Sequence, residues 1–250
     1  MEAYQPDRSL KGKIRRRLVR LAERRPATAA PTRPMVSFSF DDAPASAAAA
    51  GAAVLESRGL RGTYYIAAAL AGTDGPMGRF AGPDEIVRLA LAGHEIGCHT
   101  YSHLDLGQAS GPETAADVGR NQAALEAWKL PKARSFAYPY GDVSAPAKRA
   151  LAGRFATLRA LHHGVIGKGA DLNQTPAVGI EGPDGEAVAR RWLNRAKAEN
   201  AWLILYTHDV ANDPSPWGCT PGALERLIDQ AVADGFEVVT VAEGAAKIAA

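Results

Sequence analysis

Two adjacent carboxylates, two histidines four apart and a third histidine far along the chain could do chemistry together in this 250-residue sequence. Asp41 and Asp42 close the apolar run Met35-Val-Ser-Phe-Ser-Phe-Asp-Asp42, which is bounded by Pro34 and Pro44. His99-Thr-Tyr-Ser-His103 follows a short strand-like run at 94–98, and Leu203-Ile-Leu-Tyr-Thr-His208 ends in the third histidine. Side chains alternate along an extended chain, so Asp41 and Asp42 are expected to face different partners. Two acids in one dry site repel, and a nearby cation, most simply a metal ion, is expected to balance them. Histidines at i and i+4 turn both imidazoles to one side of a helical turn, a chelating spacing. Each feature alone has a plain structural reading. Acids before the alanine-rich segment 44–57 are a helix-start signal, and a lone His-x-x-x-His is weak evidence for a ligand pair. Together they suit metal-assisted hydrolysis. Two histidines and one carboxylate leave open positions on a divalent ion, a second carboxylate can take a proton from water, and a histidine across the site can return one to a poor leaving group.

The elements needed to position these residues follow from the pattern. Strands are expected at 35–40, 62–66, 94–98, 135–138, 155–159, 176–180, 201–207 and 236–241. Helices are expected at 44–57, from Pro83 to Gly93, from Ser110 to about Leu130, and at 144–152, 184–199 and 220–234. Ser110-Gly-Pro-Glu113 has the spacing of a capping box. Residues 162–175 read as a loop. The fold class is α/β. Seven or eight βα units in series, without repeats or low complexity, point to parallel strands in a distorted (β/α) barrel, with a doubly wound open sheet as the alternative. Asp41, Asp42, His99, His103, His208 and the segment Phe136-Ala-Tyr-Pro-Tyr-Gly141 all fall at C-terminal strand ends, where barrel enzymes build their sites. No phosphate-cradling glycine motif follows the first strand.

A hydrophobic content of 46% and a net charge of +2 are those of an ordinary globular protein, not a nucleic-acid binder. The charge is uneven: residues 11–25 carry eight Lys/Arg and one Glu. Ile14, Leu18, Leu21 and Ala22 recur at helical spacing there, making residues 1–34 a basic amphipathic segment followed by the proline-punctuated linker 26–34. Peripheral contact with an anionic inner membrane, packing on the main domain or on a second subunit in a homodimer, and a disordered tail remain open. The catalytic domain is expected at 35–250. The two cysteines, Cys98 and Cys219, give no disulfide framework and no metal spacing. Without a secretory apolar core or a spanning segment, a cytoplasmic location is expected, with peripheral attachment to the inner membrane as the variant.

At these residues the sequence resembles the polysaccharide deacetylases, carbohydrate esterase family four. Ser39-Phe-Asp-Asp42, His99-x-x-x-His103, Phe136 to Gly141 and Leu205-Tyr-Thr-His208 are similar to four of the family's motifs, in the family's order, over about 35–245. The resemblance implies a distorted (β/α) barrel that removes acetyl groups from N-acetylhexosamine residues of an oligo- or polysaccharide. It implies Asp41 as general base, Asp42, His99 and His103 as metal ligands, and His208 as general acid. The backbone N–H of Tyr140 would help hold the oxyanion, and Leu205 would line the acetyl pocket. Zinc is the favoured ion, with cobalt, nickel or iron admitted by the ligand set. The patterns around Tyr138 and His208 are similar to those of bacterial exopolysaccharide and holdfast deacetylases, which implies an exopolysaccharide or its precursor as substrate.

One departure stands out. Many members carry an arginine in the third motif that orients the catalytic acid, and this chain has Ala137 there. Arg159, at the end of the next strand, is the expected substitute, with Arg134 a weaker candidate. The family's fourth motif has no clear counterpart, Trp192 being the nearest tryptophan and equally a core residue. Trp217, on the loop after His208, is balanced between stacking on a sugar face and loop packing. His162 and His163 read as solvated loop residues, and Cys98 and His94 as structural. A small-molecule amidohydrolase on the same barrel and a non-catalytic saccharide-binding scaffold are the alternatives for function.

Overall fold

A computed structural model describes residues 10–249. The main sheet is parallel and curls toward a barrel. Its strands are β1 (Met35–Asp41), β2 (Thr63–Ile66), β5 (Glu95–Cys98), β6 (Ser135–Ala137), β7 (Thr157–Arg159), β8 (Val178–Gly179), β9 (Trp202–Thr207) and β10 (Glu237–Val238). A hairpin, β3 (Asp74–Gly75) and β4 (Gly78–Arg79), sits in the glycine-rich loop after β2. The order across the sheet is β7-β6-β5-β2-β1-β9-β8, with β10 pairing the start of β1. The segment before β8 runs along the outer edge of β7, where Thr175 N–H donates to Leu158 O at 2.9 Å and Ala160 N–H to Thr175 O at 2.8 Å. That pairing covers the edge and draws the two ends of the sheet together, as the expected distorted (β/α) barrel requires.

The helices are α1 (Leu10–Val19), α2 (Ala52–Glu56), α3 (Pro83–Leu91), α4 (Gly111–Ala127), α5 (Ala145–Leu151), α6 (Gly185–Ala198), α7 (Pro221–Ala233) and α8 (Val241–Ile248). A π-helical turn, Ala47–Gly51, leads into α2. The expected capping box forms: Ser110 Oγ accepts from Glu113 N–H, and Glu113 reaches back to Ser110. A strand expected at 236–241 is shorter than that. Thr240 and Glu243 make a second capping box, and the chain turns into α8 instead of ending on a strand.

Strand alternation divides the interior. Val36, Phe38, Phe40, Tyr64, Ile96, Phe136, Leu158, Leu203 and Leu205 join the larger core, toward the helices. Met35, Trp202, Ile204 and Tyr206 join a smaller core on the opposite face, with Val241, Ala245 and Ile248 of α8. Burying each large side chain contributes about 1.5–3 kcal/mol. The odd-numbered positions of β1 therefore point into the barrel, and Asp41 lies at their open end.

The segment before β1 is part of the packed structure. Ala27 is buried and donates to Ala170 O at 2.8 Å, and Thr28 and Ala29 both donate to Ile248 O. α1 lies on the barrel through Arg15 and Val19, while Ile14, Leu18 and Leu21 are 48%, 60% and 71% exposed. The apolar stripe expected to define the helix is thus not the face that packs. Arg15, paired with the buried Asp142, and Lys148, donating to the carbonyl of Val19, set the rotation. Among the described residues no helix is long and apolar enough to cross a membrane.

Candidate metal and hydrolytic site

β1 and β5 deliver the metal-ligand candidates. Asp42, His99 and His103 are all buried, and one ligand atom from each lies within 4.8 Å of the others. Asp42 Oδ1 stands 3.8 Å from His99 Nε2 and 3.5 Å from His103 Nε2. Nδ1 of His99 lies 2.8 Å from the carbonyl of Ala137, which can only accept. Nδ1 therefore carries the proton and Nε2 presents its lone pair to the cluster. Asp42 Oδ1 is buried without a hydrogen-bond partner. An orphaned carboxylate oxygen facing two imidazole nitrogens fits a divalent cation, because burying such an atom without compensation is costly. Burial holds the His99 and His103 imidazoles down to about 4, so both are neutral and able to ligate at pH 7. Burial pushes the Asp42 carboxyl up, with His99 and His208 opposing it.

Local backbone geometry sets the cluster. Asp42, Thr100, His103 and Tyr140 have φ of 58°, 62°, 55° and 59°. Left-handed conformations are costly for residues with a Cβ and gather at functional sites. Lys129 and Asn200, also left-handed, simply follow the ends of α4 and α6. Asp117 of α4 shapes the loop between the histidines, accepting from Tyr101 N–H at 2.6 Å, Ser102 N–H at 3.1 Å and Ser102 Oγ at 2.8 Å.

Asp41 faces away from Asp42's partners. Both its oxygens lie 2.6 Å from Arg159 Nη2, and both residues are buried. Burial would raise the Asp41 carboxyl, but Arg159, His99 and His208 outweigh it and hold it below the usual carboxylate range. Ala137 and Arg159 are direct partners across β6 and β7. The arginine thus enters at the level of the third motif, from one strand over. Its guanidinium lies over the rings of Tyr65 and Tyr206 at 5.0 and 5.2 Å, which supports the cation in a dry site.

His208 follows β9, with Nδ1 3.0 Å from Glu181 Oε1 and 3.2 Å from Trp217 O. Burial works against its charge, but Glu181, Asp41 and Asp42 together push it up to about 9, so it is protonated at pH 7. Glu181 and Tyr206 are contributors that the sequence reading missed. Glu181 sits just past β8, a strand-end position like the others, and Tyr206 donates its hydroxyl to Glu181 Oε2 at 3.1 Å.

Tyr140 packs edge-on against His103, with ring centroids 4.5 Å apart. Trp217 is 41% exposed beside His208. Leu205 is placed differently from the expectation. It is fully buried in the helix-facing core, on the opposite face of β9 from Tyr206 and His208, so its side chain does not line the site. A period of two means that a one-residue offset exchanges the faces. Trp192 packs on His163 and Arg195 and against the helix-facing core.

Comparison with known proteins agrees with this arrangement. The polysaccharide deacetylase family model matches residues 28–154. No curated protein matches the chain significantly. Among solved structures, a Mycobacterium smegmatis protein classed as a polysaccharide deacetylase aligns with a TM-score of 0.68 at 17% identity, covering 90% of this chain and 95% of that one. The chitin deacetylase of the fungal pathogen Colletotrichum lindemuthianum aligns with a TM-score of 0.59 at 19% identity, covering 89% and 91%. A family 4 acetyl xylan esterase from Clostridium thermocellum, in complex with a cobalt ion, aligns with a TM-score of 0.58 at 20% identity, covering 84% and 89%. At these identities the structures show a shared fold, while the family model covers half of the chain, and the chain belongs to the polysaccharide deacetylase family.

Proposed function

We propose that this protein is a metal-dependent N-deacetylase of N-acetylglucosamine-type saccharides, acting on an exopolysaccharide or its precursor and releasing acetate. The observation that carries the reading is the convergence of Asp42, His99 and His103 between an arginine-held acid, Asp41, and a glutamate-held histidine, His208. Asp42 Oδ1 and the two Nε2 atoms would hold the ion. Zinc is the first choice, and the cobalt complex of the acetyl xylan esterase supports admitting that metal too. When bound, the ion supplies Lewis-acid polarisation of the acetamide carbonyl and acidifies water.

Asp41, kept ionised by Arg159, takes the proton of the attacking water as its oxygen bonds to the acetamide carbon. The backbone N–H of Tyr140 is assigned to the developing oxyanion. As the C–N bond breaks, His208 gives its proton to the sugar nitrogen, yielding acetate and a free amine. Glu181 keeps His208 charged and oriented for that step. The exposure of Trp217 beside His208 supports a role in stacking on a neighbouring sugar face. The test is acetate release from N-acetylglucosamine oligomers by the metal-loaded protein and by Asp41→Asn. The reading expects release that Asp41→Asn lowers by at least about 100-fold. Equal rates in both would reject it.

The exposed stripe Ile14, Leu18 and Leu21, beside the basic residues of α1, supports peripheral attachment to the anionic cytoplasmic face of a membrane. Co-sedimentation with anionic vesicles that fails even at low salt would remove that part of the reading.

A further inference from the structure

α1 is anchored at the mouth of the barrel and leaves an apolar edge facing solvent there. Arg15 donates to the carbonyl of Gly107, on the loop that carries His103, and pairs with Asp142, just past Tyr140, at 2.8 Å. Lys148 Nζ donates to the carbonyl of Val19 at 3.2 Å, so the helix is fixed to the barrel at two points. Arg16, Arg20 and Tyr140 line one cavity together, and the Tyr140 ring packs against His103 with centroids 4.5 Å apart. Tyr140 thus touches both the wall shared with α1 and the metal-ligand cluster.

The face that this anchoring turns outward is that of an interfacial helix. Ile14 and Leu18 lie one turn apart on α1, and Leu21 follows in the turn where its N–H donates to Leu18 O at 3.0 Å. They are 48%, 60% and 71% exposed, and Arg17 and Arg20 are exposed among them. Residues 11–25 hold eight Lys/Arg and one Glu, and that acid, Glu23, pairs with Arg149 of α5. Such an edge enters the headgroup region of an anionic bilayer, its apolar side chains at the acyl boundary and its arginines among lipid phosphates. A second copy seated on the same edge would bring two basic segments together, which like charge opposes.

A surface that docks the protein beside its own site also decides which substrate reaches that site. Because Arg15 ties the helix to two loops of the mouth, a docked α1 holds the mouth at the lipid surface. A saccharide tethered to the same membrane then meets the site at a raised effective concentration without any new contact, whereas a free polymer gains nothing. We propose that the substrate is a lipid-linked saccharide, deacetylated at the membrane surface while Ile14, Leu18 and Leu21 dock the protein there. The acetamido chemistry rests on the deacetylase reading, whereas the docking stands on α1 alone.

The test has two arms, each comparing the wild type with the double variant Leu18→Ser, Leu21→Ser, which changes exposed side chains and no charge. In the first, both proteins are sedimented at low salt with vesicles of equal parts phosphatidylglycerol and phosphatidylcholine. The proposal expects the wild type to bind and the double variant to bind at least about tenfold more weakly. Absence of binding by the wild type would overturn it, as would equal binding by the two. A wild-type dimer that the double variant dissociates, without vesicle binding, would overturn it by giving the edge to a second copy. In the second, metal-loaded protein is assayed on an N-acetylglucosamine oligomer, free in solution or joined to a hexadecyl chain in the same vesicles. The ratio of kcat/KM for the lipid-linked over the free form should be at least about tenfold higher in the wild type, with equal rates on the free oligomer. An equal ratio would overturn the membrane-borne substrate. A wild type that binds vesicles but releases acetate from neither form would reject the deacetylase reading, while the sedimentation would still decide the docking.

Discussion

Asp41 and His208 illustrate how two titratable residues receive opposite tasks from their surroundings. Asp41 is held ionised against burial by Arg159, and His208 is held protonated against burial by Glu181. Removing a partner from a buried ion pair typically costs about 3–5 kcal/mol. Arg159→Ala is therefore expected to lower stability by about that much in urea denaturation and to reduce kcat, with Arg159→Lys recovering part of both. Full activity in Arg159→Ala would reject its assignment as the holder of Asp41. If His208 is the acid of the proposed reaction, it must be protonated, so kcat should persist through neutral pH and decline as pH rises through about 9. Glu181→Gln removes the hydrogen-bonded carboxylate that supports that charge and should move the falling limb to lower pH. A pH profile of the variant that overlies the wild type would contradict the role. At this scale much of the candidate site was legible: Asp41, Asp42, His99, His103 and His208 each lie at a strand end or in the loop just past one, with a residue type suited to the proposed chemistry. Glu181 was not, because β8 is only two residues long and an acid beside Gly182 and Pro183 reads equally as a turn.

At the scale of elements, register decides which side chains reach the site. β9 carries Tyr206 and His208 on its inner face and Leu205 on its outer face. Leu205→Ala is thus expected to cost about 2–5 kcal/mol of stability as a core truncation. It should leave the preference for N-acetyl over N-propionyl substrate unmoved, and a changed preference would return Leu205 to the pocket. β5 shows the reverse dependence, of the site on a missing side chain. A Cβ at Gly97 would lie 2.5 Å from the ring of Tyr65, which supports Arg159. Gly97→Ala should therefore destabilise by about 1–3 kcal/mol, measured in denaturant, and lower activity by shifting Tyr65 against Arg159. Strand and helix types were legible from alternation and capping signals, while the face presented by Leu205 was assigned from motif position rather than alternation. The helix α8 was overlooked although Thr240-Val-Ala-Glu243 spells its capping box.

For the molecule as a whole, the barrel supplies one mouth at which six strand ends converge, and the N-terminal segment closes over its side. The alternating order of strands and helices made that architecture readable, because parallel strands joined by helices have few other arrangements. The seating of α1 was not readable. Its apolar stripe faces outward, and what fixes the helix is the pairing of Arg15 with Asp142, residues 127 positions apart. Ligand binding to the folded state alone stabilises it by mass action, so chelation should lower the melting temperature and excess metal should restore it.

The most direct measurement is acetate release from N-acetylglucosamine oligomers as chelated protein is titrated with zinc. The account predicts no release without metal, then a rise that levels off when a single ion is bound per chain, with Asp42→Ala abolishing both binding and release. Undiminished release after chelation, or a tightly bound ion with no release from any acetylated saccharide, would contradict it.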